Sequence, residues 1–436
     1  MEPTAEMTIP NEAADAPPQR DAQSPAPRRR IAIVGHACSP YLGSEPGFTW
    51  KWSTHLARHH DVVCFCHPER RDDIEAELAA RPIPNLRFVY VAVDSRFDVW
   101  KPDAGERGIR LHYALWQRQV VREVMREHQR QPLDLVHHVS WGSLNQPPVL
   151  WKTGLPFVWG PVGGGQTWPT AFIEYAGSAL HEHLRRFAVT AARCNPAIIR
   201  AARRADLIFA TNRETADLVR RAGGRRVEIL LDSGMTVVDP AEYPRDRATG
   251  VPFTVLWAGR LEPRKGLPLA LEAMARLRDR NVRLLVAGDG PQKSQIEQML
   301  DSLQLRDRVT LLGQVPYREM SRLFAESDAF LFTSLRDSMG SVVLEAMSTG
   351  LPVIAMDHQG AAIAITDETG IKIPVTTPPD AIGHIAAAIA KLADDPALRQ
   401  RIRKALFEHA ADNTWARRAE KMTGWYEEVL RAHRSV

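Results

Sequence analysis

Arg260 and Lys265 stand in a short turn directly after the apolar run Phe253-Thr-Val-Leu-Trp-Ala258. Two fixed cations beyond a strand's carboxyl end suit a diphosphate, because open α/β sheets bind ligands there. About seventy residues on, Asp337 and Glu345 bracket the turn Ser-Met-Gly-Ser and the start of a helix. Carboxylates repel phosphate but accept hydrogen bonds from sugar hydroxyls. Gly340 admits close approach of the backbone, and the amides of Gly340, Ser341 and Val342 open the helix, where anions bind. Cations for a diphosphate and carboxylates for hydroxyls together describe a nucleotide-sugar site.

These groups need a scaffold that brings strand ends together. Short apolar runs at 30–35, 62–66, 86–91, 135–138, 157–159 and 207–210 alternate with helical stretches at 48–59, 113–129 and 183–205. The pattern restarts after a Pro- and charge-rich linker near residue 245. Strands are expected at 253–258, 282–287, 309–312, 329–332 and 352–355, with helices at 267–280 and 291–303. Strand alternating with helix predicts an α/β chain of doubly wound sheets. At 436 residues two domains are expected. The predicted divisions are a disordered tail at 1–29, an acceptor-side Rossmann-like domain at 30–240, and a nucleotide-sugar-binding domain at 250–413. The amphipathic segment 415–436 is expected to cross back to the first domain.

Composition narrows the classes. A net charge of +4 with 25% charged and 44% hydrophobic residues is ordinary for a globular protein and does not call for nucleic acid. No run of eighteen apolar residues predicts a transmembrane helix, and the first twenty-eight residues have no apolar signal core. A cytoplasmic location is expected. Of four cysteines, Cys64-Phe-Cys66 is the pair that invites a metal or redox reading. No second pair completes a zinc set, so buried reduced thiols are expected. No Asp-x-Asp occurs anywhere in the chain. With Arg260 and Lys265 available for the same charge, neither a catalytic metal nor a cofactor is expected; the nucleotide sugar is a co-substrate.

The chain resembles the GT-B-fold retaining glycosyltransferases of family 4. The resemblance is carried by Ala258-Gly-Arg-Leu-Glu-Pro-Arg-Lys-Gly266, Ala287-Gly-Asp-Gly-Pro291, Leu312-Gly-Gln-Val-Pro316 and the ordered run Leu344-Glu-Ala-Met-Ser-Thr-Gly-Leu-Pro352. It implies two Rossmann-like domains facing a cleft that closes over the donor. Arg260 and Lys265 would grip the diphosphate as the sugar leaves, which places charge stabilisation where charge develops. Glu345 would hold the ribose hydroxyls and Asp337 the transferred sugar. Gly43-Ser-Glu-Pro-Gly47 resembles the family's donor loop, placing Gly43 and Ser44 beside the donor. Retention, with the donor phosphate taking the acceptor's proton, is likewise implied by the resemblance.

Two departures stand out. Asp337 occupies a position where the family usually has Glu, and Gly160-Pro-Val-Gly-Gly-Gly165 stands where many members carry a histidine. His137 is therefore the candidate for a role at the reacting sugar. His138, Glu45, Gly163 and Gly164 form an acceptor-side set. Alternation points one of the two histidines inward and the other outward. Glu45 could equally pair with Lys51 or cap a helix, and the glycines could equally make a packing turn.

The expected donor is of GDP-mannose or UDP-glucose type, and the acceptor a glycan or lipid-linked glycan in exopolysaccharide or lipopolysaccharide assembly. An epimerase of similar fold and an inactive scaffold subunit are the alternatives. Between residues 184 and 226, eleven Arg face three acidic residues. Arg185, Arg186, Arg193, Arg200, Arg203 and Arg204 interleave with Phe187, Val189, Ile198 and Ile199. Such a basic amphipathic stretch suits peripheral contact with the inner face of an anionic membrane.

Overall fold

A computed structural model describes residues 27–94, 96, 98–100, 107–243 and 250–434. The expected disordered tail falls almost wholly outside these, as does most of the linker near 245. The described chain forms two compact units.

The first unit holds β1 (Arg30–Val34), β2 (Asp61–Cys66), β3 (Leu86–Tyr90), β4 (Leu135–His138), β5 (Phe157–Val162), β6 (Leu207–Ala210) and β7 (Val227–Ile229). All pair in parallel, in the order β3-β2-β1-β4-β5-β6-β7. β1, β2, β5 and β6 are almost wholly apolar because both faces of the sheet are covered. One face is closed by the helix Trp415–Arg434, whose Trp415, Ala419, Met422, Tyr426 and Val429 pack with Ile31, Ile33, Trp52 and Phe209. Arg29 pairs with Glu427 at 2.6 Å on the same helix. The C-terminal helix thus belongs to the first unit.

The second unit holds β8 (Phe253–Ala258), β9 (Val282–Ala287), β10 (Val309–Gly313), β11 (Ala329–Phe332), β12 (Val353–Met356) and β13 (Gly370–Ile373). It is again all parallel, ordered β10-β9-β8-β11-β12-β13. In both sheets the order reverses beside the first strand, between β1 and β4 and between β8 and β11. Open α/β sheets gather ligands beyond the strand ends at that reversal.

Two sequence expectations need correction. Residues 166–189, assigned to the N-terminal domain, belong to the second unit. There Tyr175 Oη donates to Glu272 at 2.9 Å, and Arg336 pairs with the buried Glu182 at 3.0 Å. The single helix expected over 183–205 is two, Ala179–Ala192 and Pro196–Arg204. Asn195 breaks it: its side chain accepts from Ala197 N, and Pro196 occupies the first turn of the new helix.

Candidate functional site

The site in the second unit is built where β8 and β11 lie side by side. After β8 the chain makes one 3-10 turn, Pro263–Lys265, and stops at Gly266 with φ +65°. A Cβ there would stand 2.3 Å from the Thr333 carbonyl, so only glycine lets this turn press onto the end of β11. Hydrogen bonds stitch the two loops together. Leu335 N donates to the Arg264 carbonyl at 2.8 Å, Ser334 Oγ to the same carbonyl at 3.0 Å, and Thr333 Oγ1 to Lys265 O at 3.0 Å. The turn that carries Lys265 and the loop that leads to Asp337 are thereby fixed against each other.

Lys265 Nζ lies 2.5 Å from Asp337 Oδ2, with the Arg264 guanidinium 3.6 Å from the same oxygen. The shorter aspartate at this position therefore still reaches the cradle lysine. Arg260 is exposed, and its guanidinium has no hydrogen-bond or ion-pair partner among the described residues. After Asp337, Gly340 takes φ +79° and its missing Cβ leaves room for the Phe332 ring, 2.6 Å from where that atom would be. The helix Ser341–Ser348 begins there without a side-chain cap. Its first amides, from Ser341 and Val342, are of the kind that receive anions. One turn on, burial pushes the Glu345 carboxyl up to about 7, and no described residue hydrogen-bonds it.

Sequence reasoning missed the residues after β12. Asp337 N donates to Gln359 Oε1 at 2.6 Å, and the neighbouring His358 keeps a buried Nδ1 with no partner. Burial holds that imidazole down at about 4, so it is neutral. The signal was positional: β12 neighbours β11, so its carboxyl end faces the same region.

In the first unit the expectations fare differently. His137 is not free to act. It is fully buried, its Nδ1 2.6 Å from Tyr426 Oη and its Nε2 2.7 Å from the Gly160 carbonyl, and burial lowers it to about 4. His138 is likewise sealed, 2.7 Å from Tyr113 Oη, and lowered to about 3 by burial. The inward–outward alternation does not separate them, because β4 is covered on both faces.

Gly43 precedes the helix Ser44–Leu56 in extended conformation, while the Ser44 side chain lies outside the described ones. Glu45 neither pairs with Lys51 nor caps its helix; its Oε1 accepts from Gly142 N at 2.6 Å. Burial raises that carboxyl, and the Gly142 bond draws it partly back. Gly163 spends its amide on Gly142 O at 2.7 Å, and Gly164 turns at φ +105° against Leu144. These glycines make a packing turn. Cys38, which the sequence does not group with the pair, joins Cys64 and Cys66, their Sγ atoms all within 4.8 Å and fully enclosed. Cys38 and Cys66 pack there with Trp50 and Ile74.

The first unit's own strand reversal carries something the sequence did not show. Past β1, β2 and β4 stand His36, His67 and Trp141, joined by Trp100, His112, Tyr113 and Trp116. Tyr113 and Trp141 stack with centroids 4.0 Å apart. His36 Nε2 lies 3.0 Å from His112 Nε2, and His112 Nδ1 lies 2.7 Å from Asp98. Burial lowers His67 to about 4 and His36 well below its usual range. The result is an aromatic, largely uncharged wall.

Residues 244–409, which carry the Arg260–Glu345 site, match the family model described as glycosyl transferases group 1. Alpha-D-kanosaminyltransferase of Streptomyces kanamyceticus is 32% identical over 179 residues, 40% of this chain and 45% of that protein. The lipopolysaccharide core biosynthesis glycosyltransferase LpsD of Rhizobium meliloti is 32% identical over 191 residues, 43% of this chain and 54% of that protein. The chain spans about half the length of these relatives. Sucrose-phosphate synthase of Thermosynechococcus elongatus superposes with a TM-score of 0.61 at 20% identity, covering 93% of this chain and 100% of that one. The fold is that of the GT-B glycosyltransferases.

Proposed function

We propose that the chain is a retaining glycosyltransferase that moves a hexose from a nucleotide sugar, of UDP-glucose or GDP-mannose type, to a glycan or lipid-linked acceptor in surface polysaccharide assembly. One observation carries the reading. Beyond the paired strands β8 and β11 stand Arg260, the Lys265–Asp337 ion pair and a helix that starts uncapped and carries Glu345. Arg260 and Lys265 receive the diphosphate. Glu345 accepts from the ribose, and Asp337 accepts from the hexose. In the free protein Asp337 holds Lys265; donor binding exchanges that partner for phosphate and frees Asp337 for sugar hydroxyls. The ion pair keeps both side chains preorganised at little cost in ordering.

The aromatic wall at the β1–β4 reversal is assigned to the acceptor, whose ring faces can lie against the half-buried Trp141. His137 has no part in this scheme. Proton transfer falls to the donor phosphate itself.

Calorimetric titration with UDP-glucose and GDP-mannose in excess EDTA tests the reading. One of the two is expected to bind with micromolar affinity, and an acceptor glycan to take up labelled hexose. Failure of both donors to bind would sink the transferase reading in favour of an inactive scaffold. Donor turnover without an acceptor would favour the epimerase.

Membrane contact belongs to the same proposal, on a surface that differs from the sequence expectation. Val189 and Ile198 turn inward. The exposed apolar stripe is Leu180, Leu184 and Phe187, 70%, 60% and 73% accessible and spaced along one face of the helix Ala179–Ala192. An exposed apolar stripe along one helix face is the part an interfacial helix inserts. The protein is expected to sediment with phosphatidylglycerol vesicles, and Leu184→Glu with Phe187→Glu to abolish this. Equal sedimentation of the double variant would rule this stripe out.

A further inference from the structure

Gln359 stands directly past β12 with φ +56°, in the left-handed region that glycine enters without strain. What glutamine adds at this position is its amide, and both ends of it are used. Its Oε1 accepts from Asp337 N at 2.6 Å, and its Nε2 donates to the Thr167 carbonyl at 3.0 Å. The side chain is 6% exposed, so neither bond has water as a ready substitute. Gly360 completes the contact: a Cβ there would lie 2.3 Å from Met339 Cα and 2.4 Å from Ser338 O. The turn after β12 therefore lies flat against the loop Asp337–Gly340 and grips it at its first residue.

We infer that Gln359 is a positioning residue for the hexose subsite, setting where the Asp337 carboxylate points when Lys265 leaves it for the donor phosphate. The Asp337 carboxylate is held most closely by Lys265, with Ser334 Oγ at 3.5 Å and Arg264 at 3.6 Å, and its backbone amide by Gln359. The Lys265 pair is lost on donor binding under the function proposed above, on which this inference rests; the Gln359 bond is not. Through Thr167 the same amide also ties the loop to the segment 166–189, itself fixed to this unit by Arg336–Glu182 and Tyr175–Glu272. Gln359 thus acts on the sugar end of the donor and leaves the diphosphate end to Arg260 and Lys265.

The test compares Gln359→Gly and Gln359→Ala with the unaltered protein, using UDP, GDP, UDP-glucose and GDP-mannose as probes. Glycine relieves the left-handed strain and alanine keeps it, so the two variants should melt at different temperatures. Both remove the amide. Both are therefore expected to bind the nucleoside diphosphate as before. In both, the ratio of nucleotide-sugar to nucleoside-diphosphate affinity should fall by about tenfold, the scale of one buried hydrogen bond near a charge. An unchanged ratio in the glycine variant overturns the inference. So does a ratio that follows melting temperature, or equal loss of both probes, since either marks a merely structural role. If the unaltered protein binds none of the four probes, the donor-site reading itself has failed, and this inference with it.

Discussion

Arg260→Ala is expected to lower hexose transfer by about 10²–10³-fold, the usual cost of removing one preorganised group that meets developing charge. The fold should not notice. Arg260 is exposed and holds no described partner, so the melting temperature should stay close to that of the unaltered protein. Lys265 offers no such clean separation. Its loss leaves the Asp337 carboxylate, 15% exposed, with Arg264 at 3.6 Å and Ser334 Oγ at 3.5 Å. Lys265→Ala therefore mixes a lost donor contact with a carboxylate deprived of its nearest countercharge. Arg260→Lys is the informative companion. If bidentate recognition of the diphosphate matters, a point charge should recover only part of the rate. Rates measured alongside calorimetric donor binding decide the matter. A rate for Arg260→Ala within threefold of the unaltered protein would remove this residue from the donor site.

The reason Arg260 can be placed beyond β8 without coordinates is that its position is local. An apolar strand, a turn and two cations within thirteen residues place one another. The same holds for Asp337, Gly340 and Glu345, and the buried parallel strands β8 and β11 announce themselves as unbroken apolar runs. What escaped the sequence was whatever depends on distant chain or on weak local signal. β7 has three residues with Glu228 in the middle, and β13 reads Gly-Ile-Lys-Ile; neither shows a strand's usual apolar run. Cys38 joins Cys64 and Cys66 only because β1 and β2 are paired. Gln359 meets Asp337 across 22 residues because β12 lies beside β11. His137 misled for the opposite reason: a histidine near a strand end resembles a catalytic group until Tyr426, 289 residues away, takes its ring nitrogen. The segment 166–189 follows the same logic, since its attachment runs through Glu272 and Arg336 rather than through its neighbours in sequence.

Glu345 gives the second large effect, and its sign follows from burial. In the free protein the carboxyl is pushed up to about 7, so it is mostly protonated below that pH. A ribose diol donates two hydroxyl hydrogens and is best received by the ionised form. Binding a nucleotide sugar must then release a proton below pH 7, and affinity should weaken as pH falls, approaching tenfold per unit toward pH 5. Above about pH 7.5 it should level off. The donor's diphosphate stays fully ionised across this window, so it adds no slope of its own. Stability runs the other way. The folded carboxyl holds its proton more tightly than the unfolded one, so Glu345 costs nothing below the unfolded value near 4.5. The cost grows as pH rises to about 7, reaching roughly 3 kcal/mol at about 1.4 kcal/mol per pKa unit. Glu345→Gln should therefore melt with the unaltered protein at pH 4.5 and above it at pH 8, while binding donor weakly and with no pH slope. Calorimetry from pH 5.5 to 8.0 in buffers of different ionisation enthalpy would read the proton release directly. A flat profile in the unaltered protein would mean that Glu345 is not the group that meets the ribose.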